Sequence, residues 1–270
     1  MVLLAIEDVT ERREGERRRA QLLALAEEAA ERARQADAAK DLFLANLSHE
    51  LRSPLTAILL HAQALQKGHL DASAIKGAGA TIEANTRRQA KLVEDLLDVS
   101  RIVAGKIELT VEELDWRALV LGVLEAVKPE AEAKSVQLAV ECEGDPPLCL
   151  GDPERLQQVV ANLFTNAVKF TPSGGRVGVR IDAIDGYARL VVTDSGRGID
   201  PVFLPHVFER FAQEPGSAAQ KPGLGLGLAL VHELVRLHGG TVLAESPGRD
   251  LGSTFTVKLP RHEAEEPSAG

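Results

Sequence analysis

Residues 40–67 read Lys40-Asp-Leu-Phe-Leu-Ala-Asn-Leu-Ser-His-Glu-Leu-Arg-Ser-Pro-Leu-Thr-Ala-Ile-Leu-Leu-His-Ala-Gln-Ala-Leu-Gln-Lys67, and this stretch decides the first half of the fold. Leu44, Leu51, Ile58 and Leu65 recur at every seventh position, joined by Leu47, Leu55 and Ala62. At about 100° per residue they share a narrow arc of one helix, which is an apolar seam. The segment Lys67-Gly-His-Leu-Asp-Ala-Ser73 then reads as a turn, with Asp71 or Ser73 available as an N-cap. A second helix follows with Ile75, Ala78, Ile82, Asn85, Gln89, Leu92, Leu96, Val99 and Val103 spaced alternately by three and four. Two helices on a short connection make an antiparallel hairpin. One hairpin has too little core, so two copies pairing into a four-helix bundle is the expected solution, ahead of a single hairpin packed on the rest of its own chain.

On the first helix His49 lies roughly 140° and Ser53 roughly 180° from that seam, so both are expected to face water. A surface histidine alone implies little. Here Glu50 follows at once, and Pro54, which has no N–H, deprives the Glu50 carbonyl of its helical partner and should bend the helix there. Neutral imidazole is a good nucleophile toward phosphorus, and a neighbouring carboxylate can take the other ring proton.

Upstream, residues 11–40 contain only Gly15 as a helix breaker and read as a coiled-coil signalling linker. Residues 1–10 contain a strand-like run, Val2–Ile6, that cannot be stable alone. It resembles the closing strand of a PAS sensor domain, which implies a missing N-terminal sensor domain. Downstream of Gly105, strand-like runs (106–111, 136–142, 176–184, 188–193, 241–245 and 254–259) alternate with helical ones (116–134, 153–170 and 225–238). Turns such as Asp185-Gly186 suggest antiparallel pairing, giving one sheet with helices on one face. The expected class is therefore α+β: a dimeric four-helix bundle over residues 41–105, then an α/β sandwich over 106–262. A polar, disordered tail is expected at 263–270.

Three further constellations in this chain carry chemistry. Asn162 and Asn166, four apart, share a helix face with Lys169 one turn on. Amide oxygens suit a hard cation and lysine suits phosphate, although two satisfied core amides would read the same way. Next, a strand delivers Asp194 into a turn with Gly196 and Gly198, where a carboxylate can accept from an exocyclic amine. That stretch also reads as an ordinary Asp-Gly turn. Finally, Gly223, Gly225 and Gly227 open a helix, leaving backbone N–H groups to cradle phosphate at its positive end. The small, polar run before them, residues 213–222, has the composition of a mobile lid.

In this order, the motifs resemble those of the histidine kinases of two-component systems. Phe43–Leu55 is similar to that family's phosphoacceptor box, Asn162–Phe170 to its N box, and Asp194–Gly198 to its first glycine box. Val207–Phe211 resembles its F box and Gly223–Gly227 its second glycine box. The resemblance spans roughly residues 41–260, and its ATP-binding half is similar to DNA gyrase, MutL and heat-shock ATPases. It implies ATP and Mg²⁺ as ligands, a homodimer, and a response regulator receiver domain as partner. By the same resemblance His49 takes the phosphoryl group with help from Glu50. Asn166 holds Mg²⁺, Asn162 and Phe170 belong to the same site, and Lys169 contacts phosphate. Asp194 reads the adenine amine, Gly196 and Gly198 shape its pocket, Gly223, Gly225 and Gly227 face the phosphates, and Thr254 touches the adenine side. In hydrolysing relatives the place of Asn162 holds a glutamate that activates water; an amide removes no proton, so ATP should survive until a histidine arrives. Two positions depart from the pattern. Leu224 stands where a small hydroxyl residue is usual, and Ser53 stands where threonine or asparagine helps dephosphorylate the regulator.

Bulk properties fit this reading. The 270 residues, 44% hydrophobic and 26% charged, suit about two globular domains. A net charge of −9 argues against a nucleic-acid partner. No apolar run nears the ~18 residues that span a bilayer, and the start lacks the order of a signal peptide. Cys142 and Cys149 have no metal-ligand spacing and read as thiols of a reducing, cytoplasmic compartment.

Overall fold

The structure is a computed structural model that describes residues 2–68, 71–144, 147–214 and 224–262. Gly223, most of the expected lid and the tail at 263–270 lie outside the described residues. The chain divides into two units, Met1–His49 and Glu50–Gly270. The first consists of the greater part of a long helix, α1 (Val2–Gln66), and the second holds the end of α1 and every later element.

Val2–Ile6 is helical, which corrects the strand expected there. A strand without a neighbour leaves its backbone groups unpaired, whereas a helix satisfies them within the segment and continues into the strong helix formers beyond Glu11. The helix also runs through Pro54 without interruption.

In the second unit α2 (Ala72–Val103) begins at Asp71, whose carboxylate accepts the Ala74 N–H at 2.7 Å. Ala78 and Val99 on its expected seam are buried, and Ile82, Leu92 and Leu96 are half-buried. Large apolar side chains remain in the open on the hairpin: Leu59 is 57% exposed and Leu97 52%.

The rest of the unit contains α3 (Trp116–Ala133), α4 (Pro153–Phe170) and α5 (Gly227–Leu237). Its strands are β1 (Glu112–Asp115), β2 (Gln137–Cys142), β3 (Leu148–Gly151), β4 (Arg176–Ile184), β5 (Tyr187–Asp194), β6 (Thr241–Glu245) and β7 (Ser253–Pro260). β1 and β3 form a small antiparallel pair, and the main sheet has the order β2-β4-β5-β7-β6. Its pairs are antiparallel except β2 with β4, which run parallel. Asp185 and Gly186, both at positive φ, close the β4–β5 hairpin in the manner of a two-residue turn.

One face of the main sheet is apolar by strict alternation. Val177, Val179 and Ile181 of β4, Ala188, Leu190 and Val192 of β5, and Phe255, Val257 and Leu259 of β7 point inward. Against them pack Trp116 of α3, Leu156, Val160, Leu163 and Phe164 of α4, and Leu230 and Leu234 of α5, each at most 1% exposed. The expected strand at 106–111 does not form. Ile107 packs on the core, but pairing begins only where Glu112 lies opposite Gly151.

Candidate nucleotide site

The site is built on α4. Asp152 caps it, accepting the Arg155 N–H at 3.1 Å, and Pro153 takes the first turn, where its missing N–H costs nothing. The buried side of α4 packs on the sheet, which leaves Asn162, Asn166 and Lys169 along one wall of a cavity of about 340 Å³. Asn162 is 5% exposed and its Nδ2 has no hydrogen-bond partner among the described residues. A buried amide donor left unpaired costs about 1–3 kcal/mol, so the wall is arranged for an occupant that bonds to it. Burial holds the Lys169 pKa below the usual lysine value. The nearby Arg88 and Arg197 charges push the same way, and Glu50 opposes them.

Asp194 ends β5 and is 6% exposed. The Gly196 N–H donates to its Oδ1 at 2.7 Å, and the Ser253 hydroxyl donates to its Oδ2. Burial pushes the Asp194 pKa up, and these two donors restrain the rise. The glycines beside it are dictated by the protein's own backbone as much as by a ligand. At Gly198, φ is +64° and a Cβ would meet the Gly248 carbonyl oxygen at 2.0 Å. At Gly225, φ is +68° and a Cβ would fall 2.6 Å from the Ala212 carbonyl oxygen. Gly227 opens α5 beside Asn162, so the positive end of that helix faces the same cavity.

Thr254 requires a correction. It lies on the other face of the sheet, its hydroxyl 3.2 Å from that of Thr193, and it does not line the cavity. Strand side chains alternate, so the residue one step earlier, Ser253, faces Asp194 instead. Phe170 does line the cavity, with Lys169 Nζ 5.1 Å and Arg197 Cζ 4.5 Å from its ring centroid. Leu224 is buried in the wall. Sequence reasoning missed Ser253 and Arg197, together with Lys91 and Asp95 of α2, which also line the cavity. The last two are separated from the motif residues by more than sixty positions, and only the fold brings them near.

His49 and Ser53 are exposed on α1. Glu50, next to the exposed His49, is buried, and its carboxylate pairs with Arg88 Nη2 at 3.0 Å. One step of about 100° around the helix turns it toward α2. A second ion pair joins α2 to α4: Asp98 accepts from Arg155 at 2.7 Å and from Gln158 at 2.8 Å. Among the described residues no group of three or more His, Cys, Asp or Glu side chains is placed to hold a metal, and no helix is long and apolar enough to cross a membrane.

Two family models match the chain: the His Kinase A (phospho-acceptor) domain over residues 39–105, and the Histidine kinase-, DNA gyrase B-, and HSP90-like ATPase over residues 151–263. Sensor protein DivL of Caulobacter vibrioides is 38% identical over 268 residues, covering 99% of this chain and 33% of DivL. The chain thus spans about a third of that relative's length. The full-length structure of ShkA in complex with AMPPNP is 35% identical with a TM-score of 0.63, over 83% of this chain and 46% of that one. A mycobacterial sensor histidine kinase, MprB, is 36% identical with a TM-score of 0.50, over 57% of this chain and 99% of that one. A phosphoacceptor hairpin followed by an ATPase sandwich, with near-complete coverage of a solved relative at this identity, places the chain in the sensor histidine kinase family.

Proposed function

We propose that the chain binds Mg-ATP in the α4 cavity, phosphorylates His49, and passes the phosphoryl group to an aspartate of a response regulator receiver domain. The observation that carries this reading is the convergence of Asn162, Asn166, Lys169 and Asp194 on one cavity beside the N-terminus of α5. The AMPPNP in the ShkA structure, at 35% identity, supports a nucleotide there. In this reading Asp194 accepts from the adenine amine, and Lys169 and the α5 N-terminus meet the phosphates. Asn166 would hold Mg²⁺ through its amide oxygen, which suits a hard cation, with Asn162 one turn before it in the same wall. The ion, when bound, neutralises phosphate charge as it develops.

A ring nitrogen of His49 attacks the γ-phosphorus, the bond from that phosphorus to the β–γ bridging oxygen breaks, and ADP leaves. The proton on the other ring nitrogen passes to Glu50, the next residue in sequence, whose carboxylate also pairs with Arg88. Asn162, being an amide, activates no water, which favours transfer over hydrolysis. Ser53, one turn beyond His49, is placed to orient a water against a regulator's phosphoaspartate and gives the kinase a weak phosphatase activity. The active form is a cytoplasmic homodimer paired through residues 41–103, with 11–40 as the signalling linker. Incubation with γ-labelled ATP should load the protein with acid-labile, base-stable phosphate that chases onto a receiver domain. Release of free phosphate with no labelled protein would overturn the reading in favour of a hydrolase.

A further inference from the structure

Between the two glycines that follow Asp194 stands Arg197, which the motif itself leaves without a task. Its guanidinium carbon lies 4.5 Å from the centroid of the Phe170 ring, over which Lys169 Nζ also sits at 5.1 Å. Two cations thus crowd one aromatic ring, and both side chains line the nucleotide cavity. Burial holds the Lys169 pKa down there, with Arg88 and Arg197 acting in the same direction and Glu50 opposing them. Arg197 also reaches the buried Glu214 carboxylate at 3.6 Å, a separation at which its fork is not committed to a close bidentate pair. Leu224, 5% exposed in the same cavity wall, presents hydrocarbon where the resembling motif usually presents a hydroxyl. The cavity wall therefore has one hydroxyl fewer than the resembling motif usually provides, and it holds Arg197 at the same ring as Lys169.

We infer that Arg197 binds the polyphosphate of the nucleotide, supplying through its guanidinium the hydrogen bonds that Leu224 cannot. This rests on the nucleotide reading above and deepens it: Arg197 is a binding residue that tells a nucleoside triphosphate from a bare nucleoside. A planar guanidinium matches phosphate oxygens with two parallel N–H donors, and a charge-assisted bond of this kind is worth about a ten- to hundredfold change in affinity.

The test is calorimetry on the whole chain with Mg-ATP and with adenosine as separate probes. Arg197→Gln should weaken Mg-ATP binding about ten- to hundredfold and leave adenosine binding within about twofold of the wild type. Arg197→Lys, which keeps the charge and loses the fork, should recover part of the loss. Equal weakening for both ligands would mean that Arg197 only supports the fold of the pocket and would overturn the inference. Unchanged Mg-ATP affinity in Arg197→Gln would overturn it too. A wild type that binds neither probe would overturn the nucleotide reading itself.

Discussion

At Asp194 two demands meet. The carboxylate is buried, which favours its neutral form, yet it must be charged to accept strongly from an adenine amine. The Gly196 N–H and the Ser253 hydroxyl hold the balance. Because the folded pKa is raised above 3.8, ionising Asp194 takes stability away as pH rises through that window. Ligand binding runs the other way. ATP affinity should fall as pH drops through the raised value, earlier than for a free aspartate. Asp194→Asn should bind ATP about ten- to hundredfold more weakly at neutral pH and lose this dependence, since it has no proton to gain. Calorimetry across mildly acid pH checks both, and a variant with wild-type affinity would remove Asp194 from the site.

Among the elements, the β4–β5 hairpin is held by more than its ladder. Asp182 lies opposite Arg189 in register, and the guanidinium bonds both carboxylate oxygens, at 2.7 and 2.5 Å. That hydrogen bonding holds the Asp182 carboxyl below the usual aspartate range, so the pair stabilises the fold at neutral pH and the contribution is lost as pH falls through the lowered value. Arg189→Ala would leave a carboxylate that is 8% exposed without its main partner. The expected cost is about 2 kcal/mol, below the ~3–5 of a fully buried pair because Arg189 keeps part of its surface in water. Urea denaturation at neutral pH measures it, and the gap between variant and wild type should narrow in acid.

The same element scale shows what was legible in the sequence. α4 and β4 were readable to the residue because each is bounded by its own chemistry: Asp152-Pro153 starts the helix, and Asp185-Gly186 ends the strand. β1 and β3 were not, because each is four residues long and exists only through the other. Ser253 and Thr254 look interchangeable along the chain. Only the register of β7 on β5 decides which of them faces Asp194. The pairs Glu50–Arg88 and Asp98–Arg155 join residues 38 and 57 apart and leave no local trace. At the N-terminus the apolar run Val2–Ile6 is helix, continuous with the strong helix formers beyond Glu11.

For the molecule as a whole, the hairpin's exposed side chains argue for a second copy. Leu59 at 57% and Leu97 at 52% expose apolar surface that pairing into a bundle would cover. Leu97→Glu should therefore give a folded monomer at micromolar concentration where a dimer is expected of the wild type, since a charge on this exposed face is taken out of water only in the bundle. Light scattering reads the outcome, and a wild type that runs as a monomer would count against the bundle. In the proposed function the nucleotide domain serves one histidine, His49, which is exposed on α1. The most direct test is acid-labile label from γ-labelled ATP in His49→Gln beside the wild type, with ATP affinity measured in both. The variant should lose the label in full and keep its ATP affinity within about twofold, because the substituted side chain lies outside the motifs that line the cavity. Label entering His49→Gln at the wild-type rate would contradict it.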